Sequence, residues 1–272
     1  MVLNIAHRGA RSLAPENTLL AASKGIEAGA DMWETDVRVT ADGHLALFHD
    51  HRLTRTTDVV ERFPDRSDHP FTTFTLEEIR SLDAGSWFLD ADPFGQIAAG
   101  VLSTADQSEC RGQKIPTLEE ALHFTGDSGW RINLELKRLS GPVERFPLVE
   151  KVLMTIDRVG IPVDRVVVSS FEHAWLDECR RRRPKLEVQA LIGYHSDRPL
   201  DWGDLRFRTY NVNSDLLGPD GVREKVRCGF AINLWTVNEA EDMKRFSDAG
   251  AAGIITDFPQ WLARLSESGF QT

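Results

Sequence analysis

Two segments carry carboxylates at alternating positions. Glu34 and Asp36 lie in Met32 to Val37, and Glu135 lies in Arg131 to Lys137. In an extended strand, residues two apart share a face. Glu34 and Asp36 therefore fall on one side, with Trp33, Thr35 and Val37 on the other. The same period puts Asn133, Glu135 and Lys137 together. If the two strands are neighbours, three carboxylates converge with Lys137 beside them. Three hard oxygen ligands suit one divalent cation, Mg2+ or Ca2+, with positions left for water or substrate. The alternative is acids on strand ends paired with Arg and Lys. The metal reading is favoured because buried carboxylates are costly unless paired or metal-bound.

Two histidines belong to the same end of the molecule. His7 closes the first strand pattern, in His7-Arg8-Gly9. His49 ends a strand-like run, His44 to His49, that follows Asp42-Gly43. Asp-Gly between strand patterns signals a two-residue hairpin turn. Ala41 then opposes His44, and Asp36 lies opposite His49 within a residue or two. Imidazole titrates near neutrality and suits general acid-base work. His51 is a reserve candidate, whereas His44, His69, His123, His173 and His195 fall in hairpin, insertion, helix or loop patterns.

Short aliphatic or β-branched runs alternate with helical patterns nearly from end to end, which argues for βαβ units and a parallel sheet. Eight strands are expected: Val2 to Ala6, Met32 to Val37, Arg131 to Lys137, Arg165 to Ser170, Leu186 to Ile192, Phe207 to Asn213, Ala231 to Val237 and Gly253 to Thr256. Helical stretches fall at Thr18 to Ala28, Thr117 to Phe124, Val143 to Val159, His173 to Arg183, Asp220 to Arg227, Glu239 to Ala249 and Pro259 to Ser266. The connection around Leu200 is weakly patterned. Eight strand-helix units predict an α/β fold, a closed (β/α)8 TIM barrel with the site at the C-terminal strand ends. Only six residues separate Val37 from His44, too few for a parallel crossover, so that run is a hairpin and not another barrel unit. The chain is expected to be one domain over 1–272. Residues 50–114 form an inserted segment after the hairpin, carrying one or two short helices, of which Thr75 to Leu82 has the best pattern.

Composition narrows the function classes. The 272 residues include 32 Lys+Arg and 42 Asp+Glu, a formal net charge of −10. Such a surface field disfavours nucleic acid and anionic membrane as partners. An anionic substrate then needs a local metal or a few placed cations. Cys110, Cys179 and Cys228 are an odd, widely spaced set with no C-x-x-C, which indicates neither a disulfide framework nor a zinc site. No apolar run of 18 residues occurs, and the start has too short an apolar run for a signal peptide. A cytoplasmic protein without stable membrane association is expected. G-x-G-x-x-G, Walker A, G-x-S-x-G and H-E-x-x-H motifs are absent.

The motifs, in order, are His7-Arg8-Gly9-Ala10, Ala14-Pro15-Glu16-Asn17-Thr18, Glu34-Thr35-Asp36-Val37, Asp42-Gly43, and His49-Asp50 followed by Leu53-Thr54-Arg55-Thr56-Thr57. There follow Ile115-Pro116-Thr117-Leu118-Glu119-Glu120, Asn133-Leu134-Glu135-Leu136-Lys137, Ser169-Ser170-Phe171, Trp235-Thr236-Val237-Asn238 and Gly253-Ile254-Ile255-Thr256-Asp257-Phe258-Pro259. Together they resemble the glycerophosphodiester phosphodiesterase family, of the cytosolic bacterial type. None is decisive alone, but ten in family order are specific.

The resemblance implies metal-dependent hydrolysis of a glycerophosphodiester, a small-molecule substrate, to sn-glycerol 3-phosphate and an alcohol. It assigns the divalent cation to Glu34, Asp36 and Glu135, and acid-base roles to His7 and His49. Arg8 and Lys137 match phosphate-contacting cations, and Phe171 and Trp235 match aromatics near the glycerol pocket. Glu16 and Asn17 match a motif of mainly structural role. The stretch Ala91 to Lys114 is longer than usual for the family and would overhang the mouth. Two alternatives remain: lysophospholipase D-like hydrolysis, for which Phe88, Phe94, Ile97, Val101 and Leu102 could supply an apolar track although they are more simply the insertion's own core, and a non-catalytic binding module. The expected assembly is a monomer or homodimer.

Overall fold

Strands form where β-branched and aliphatic residues run without interruption, as in Val166–Ser170, whose five residues are all buried. The computed structural model describes residues 2–267; Met1 and residues 268–272, the ends of the expected 1–272 span, lie outside the described residues. The strands are β1 Leu3–His7, β2 Met32–Val39, β3 Leu45–Leu47, β4 Ile132–Leu136, β5 Val166–Ser170, β6 Glu187–Ile192, β7 Thr209–Asn213, β8 Ala231–Trp235 and β9 Gly253–Thr256. All but β3 pair in parallel, and contacts of β1 with both β9 and β2 close the ring. The result is the eight-stranded (β/α)8 barrel expected from the alternating pattern.

Alternation along each strand separates two environments. Outward residues such as Trp33, Val37, Leu134 and Val168 pack beneath the helices in the main core. Inside, Ile5, Met32, Val167 and Ile255 form a small apolar cluster. Nearer the C-terminal strand ends the inward residues turn polar: Glu34, Asp36, Asn133, Ser169 and Asn211 are all buried. Just beyond β1 the backbone takes two left-handed residues, Arg8 at φ 55° and Gly9 at φ 79°. A Cβ on Gly9 would lie 2.5 Å from the Ala21 carbonyl carbon, so this turn requires glycine.

Helices follow at Leu19–Glu27, Leu118–Asp127, Leu148–Val159, His173–Arg182, Pro219–Arg227, Ala240–Asp248 and Pro259–Glu267. The third starts later than the expected Val143, because Pro147 lacks an N–H and sits at its N-cap; Gly141–Val143 is a separate 3-10 turn. Between β6 and β7, where the pattern was weak, the described residues contain no helix.

The hairpin departs from expectation by one residue. Val37 pairs with Leu47 and Val39 with Leu45, and the Thr40 N–H donates to the His44 carbonyl at 2.9 Å. Ala41 to Gly43 therefore form a three-residue loop, with Gly43 left-handed at φ 81°. Asp42 stabilises it, accepting from the Thr40 hydroxyl at 2.6 Å and the Leu76 N–H at 3.0 Å.

The chain between β3 and Leu118 holds more structure than one or two helices. Val59–Arg62, Leu76–Ser81, Ser86–Ala91 and Thr104–Cys110 are helical, with 3-10 turns between. The last is closed by Ser103 and Asp106, an N-terminal box in which Asp replaces the usual Glu and weakens the sequence signal. Phe48, Leu53, Phe71, Phe74, Ile79 and Leu82 give this segment a core of its own.

Candidate active site

The β2–β4 register places Asp36 beside Glu135 and Glu34 beside Asn133, while β1 sets His7 next to Glu34. One oxygen from each of Glu34, Asp36 and Glu135 lies within 4.8 Å of the others. Glu34 Oε1 is buried without a hydrogen-bond donor, and the buried Asp36 Oδ1 makes no hydrogen bond, its neighbour being the Lys137 ammonium at 3.2 Å. Burial, then the charges of Asp36 and Glu135, push the Glu34 carboxyl well above its usual range. For Asp36 burial acts in the same direction, but Lys137, His49 and Arg8 outweigh it and hold the group well below. Crowded carboxylates with orphaned buried oxygens fit a cation-binding set.

Cations brace this cluster. Lys137 Nζ lies 2.7 Å from Glu135 Oε1 and 3.2 Å from Asp36 Oδ1. The Arg8 backbone N–H donates to Glu34 Oε2 at 3.0 Å, and its guanidinium pairs with Glu16 at 2.8 Å and Asp36 at 3.4 Å. Asn17, itself left-handed at φ 57°, donates from Nδ2 to Asp36 Oδ2 at 2.8 Å and accepts from Thr35 Oγ1 at 2.7 Å. Glu16 and Asn17, expected to be mainly structural and to orient His7 or Arg8, thus hold Arg8 and Asp36 in place.

Each histidine has its own carboxylate. His7 Nδ1–H donates to Asp257 Oδ1 at 2.7 Å, and Asp257 accepts a further 2.7 Å bond from Asn238. His49 Nδ1–H donates to Asp50 Oδ1 at 2.7 Å, and Arg55 bridges Asp50 at 2.6 Å to Glu16 at 2.7 Å. Burial first, then Arg8, pushes His7 down to about 4 despite Asp257, so the ring is neutral at pH 7. His7, Arg11 and Asn238 outweigh burial at Asp257 and hold it down to about 2.

Two adjoining cavities open at this end. The inner one, about 160 Å³, is bordered by His7, Arg8, Glu34, His49, Lys137 and Trp235. The outer one, about 660 Å³, shares His49, Glu135, Lys137, Phe171 and Tyr194 with it and extends to Arg38, Arg138 and His51. Phe171 stands edge-on to Trp235 at 5.8 Å and to Tyr194 at 5.2 Å. All nine residues singled out in the sequence, His7, Arg8, Glu34, Asp36, His49, Glu135, Lys137, Phe171 and Trp235, lie in or against these cavities. His51 borders only the outer one. None of the five apolar residues named for a lipid track borders either cavity: Phe88 and Leu102 are buried with Cys110, as expected of the insertion's own core, and Phe94 packs on Phe258 at 5.6 Å.

Sequence reasoning gave no role to Asp257, Asp50, Arg55 or Arg38. Asp257 was legible as an acid one residue past the last strand, and Asp50 as the neighbour of His49. Nothing local marked Arg55 as a bridge.

The model of the "Glycerophosphoryl diester phosphodiesterase family" matches residues 7–261. A glycerophosphodiester phosphodiesterase of Caldanaerobacter subterraneus is 35% identical over 98% of this chain and 98% of its own length. One from Bacillus altitudinis is 32% identical, covering 96% and 97%. A putative glycerophosphoryl diester phosphodiesterase structure from Silicibacter pomeroyi superposes with TM-score 0.80 at 30% identity, covering 99% and 94% of the two chains. An Oleispira antarctica phosphodiesterase, solved with the product sn-glycerol-3-phosphate, gives TM-score 0.77 at 24% identity over 97% and 96%.

Proposed function

Because the chain belongs to the glycerophosphoryl diester phosphodiesterase family, we propose that it releases sn-glycerol 3-phosphate and an alcohol from small glycerophosphodiesters, using His7 and His49 as acid-base pair and one divalent cation. Hydrolysis of glycerophosphodiesters is the family's reaction, and the chain is such an enzyme. The observation that carries the finer reading is the convergence of two histidine–aspartate pairs and three carboxylates around one cavity. The product named for the Oleispira protein supports the same substrate class.

Glu34, Asp36 and Glu135 would hold Mg2+ or Ca2+, which when bound neutralises charge on the phosphoryl oxygens. The inner cavity takes the glycerophosphoryl half, bordered by Arg8, Lys137 and the Trp235 ring. The outer cavity takes the leaving alcohol. His49 borders both, which suits it to protonate the departing oxygen. His7 borders only the inner one, is neutral at pH 7, and takes the proton from the attacking oxygen. Asp257 and Asp50 fix each Nδ1 as the donor, leaving Nε2 for the reaction, and Asp257 stabilises the imidazolium that forms. Each positioned acid or base contributes about 10²- to 10⁴-fold.

In this reading the chain is one catalytic domain and 50–114 is an insertion beside the mouth, supplying Asp50 and Arg55. A cytoplasmic site of action is supported by the free cysteines, Cys110 and Cys179 buried and Cys228 exposed, which suit a reducing compartment.

The test is a coupled glycerol 3-phosphate assay with and without chelator, run on the wild type, His7→Ala, His49→Ala and Glu135→Gln. Activity should fall by about 10²-fold or more in each variant and vanish with chelator. Activity that survives chelation, or the loss of either histidine, overturns the mechanism.

A further inference from the structure

The charged groups around the outer cavity are unevenly partnered. Asp50 is held by Arg55 at 2.6 Å, Glu135 by Lys137 at 2.7 Å, and Glu172 faces Arg138 at 3.5 Å. Arg38, on the C-terminal half of β2, is different. Its Nε and Nη2 both donate to a single neutral acceptor, the His49 carbonyl, at 2.9 Å for Nε. Among the described residues the Asp36, Asp50 and Glu135 carboxylates act on it only from beyond ion-pair distance, and Nη1 makes no hydrogen bond. The side chain is partly buried and borders the outer cavity, not the inner one, so it does not face the glycerophosphoryl half. A partly desolvated guanidinium with unused donors is a poor neighbour for a cation and a good one for a phosphate, which it can engage in forked geometry.

Resting on the assignment of the outer cavity to the leaving alcohol, we propose that Arg38 anchors a leaving-group subsite selective for alcohols that carry a second phosphate. Arg138, His51 and His195 border the same space and supply further donors. The competing occupant is a quaternary ammonium on the Tyr194 ring, which is 68% exposed. Arg38 opposes it: a cation in this cavity meets a guanidinium whose hydrogen bonds go to a neutral carbonyl, whereas a distal phosphate can engage the free Nη1. With a net charge of −10 over the chain, the selectivity is a local property of this cavity and not of the whole surface.

The test compares glycerophosphocholine, glycerophosphoglycerol and the terminal phosphate monoester of glycerophosphoglycerol, with diester consumption followed by phosphorus NMR. The last two differ only in the distal phosphate. Wild-type kcat/KM should favour the phosphate-bearing substrate by on the order of tenfold or more over its neutral counterpart, and the ratio should shrink as salt is raised. Arg38→Gln should bring the ratio close to one whatever its overall rate, and Arg38→Lys should retain part of it. The proposal falls if the wild type shows no preference, if it prefers the choline diester, or if Arg38→Gln keeps the wild-type ratio. Should Arg38→Gln fail to fold, the wild-type ratio and its salt dependence still decide. Consumption of none of the three diesters would instead overturn the hydrolase reading on which the subsite rests.

Discussion

His7 and Asp257 stand 250 positions apart in the chain, yet Nδ1 of the one lies 2.7 Å from Oδ1 of the other. The contact exists because β1 and β9 are neighbours at the barrel's closure. It fixes the ring's tautomer, so its loss should act on turnover more than on binding. Asp257→Asn should lower kcat by about 10²- to 10⁴-fold with little change in KM, read from steady-state glycerol 3-phosphate release. A change confined to KM would show that Asp257 does not position His7.

The same histidine should leave a signature in stability. Its pKa is about 4 in the folded protein against 6.5 when unperturbed. Between these values the unfolded chain binds the extra proton, so stability falls as pH drops from 6.5 through 4. Asp257, held down to about 2 from 3.8, adds stability that is lost only below about pH 4. Melting curves from pH 7 to 4 should show His7→Gln losing less than the wild type, by about 5 °C. Parallel curves would refute a buried neutral His7.

Crowding of Glu34, Asp36 and Glu135 predicts opposite effects with and without cation. In chelator, Glu34→Gln relieves like-charge repulsion and should melt at or above the wild-type temperature. With Mg2+ or Ca2+ at about 100 times Kd, the wild type should gain about 2.7 kcal/mol. The variant should gain little and lose activity. Thermal melts in chelator and in each cation separate these outcomes; an equal cation shift in both proteins would remove Glu34 from the site.

Asn17 donates to a buried, ionised Asp36 from a left-handed backbone. Asn17→Gly keeps that backbone accessible and deletes only the side chain. The expected loss is about 1.5–3 kcal/mol, the worth of hydrogen bonds to a charged group, measured by denaturant unfolding. Asn17→Ala should lose more, because alanine also strains at positive φ.

Legibility followed the range of the interaction. Period-two alternation in Met32 to Val37 and Arg131 to Lys137 was enough to sort inward from outward side chains, because pleating depends only on neighbouring residues. Asp42-Gly43 announced a hairpin, but its loop length was decided by Thr40 and Asp42 closing it with their own hydrogen bonds. The helix at Thr104–Cys110 escaped notice because its box uses Asp106. The apolar residues of 88–102 read more simply as the insertion's own core than as a lipid track, and packing places Phe88 and Leu102 in such a core.

By itself the sequence determined the (β/α)8 barrel, the Asp42-Gly43 hairpin and the family motifs from His7 to Pro259. Each is a matter of local propensity or of residue type at fixed spacing. Only the tertiary structure decided which charges are neutralised. Arg55 is spent between Asp50 and Glu16, while Arg38 is left with a carbonyl. Pairing at 3 Å depends on barrel closure and on where the insertion folds back, and no spacing along one strand encodes that.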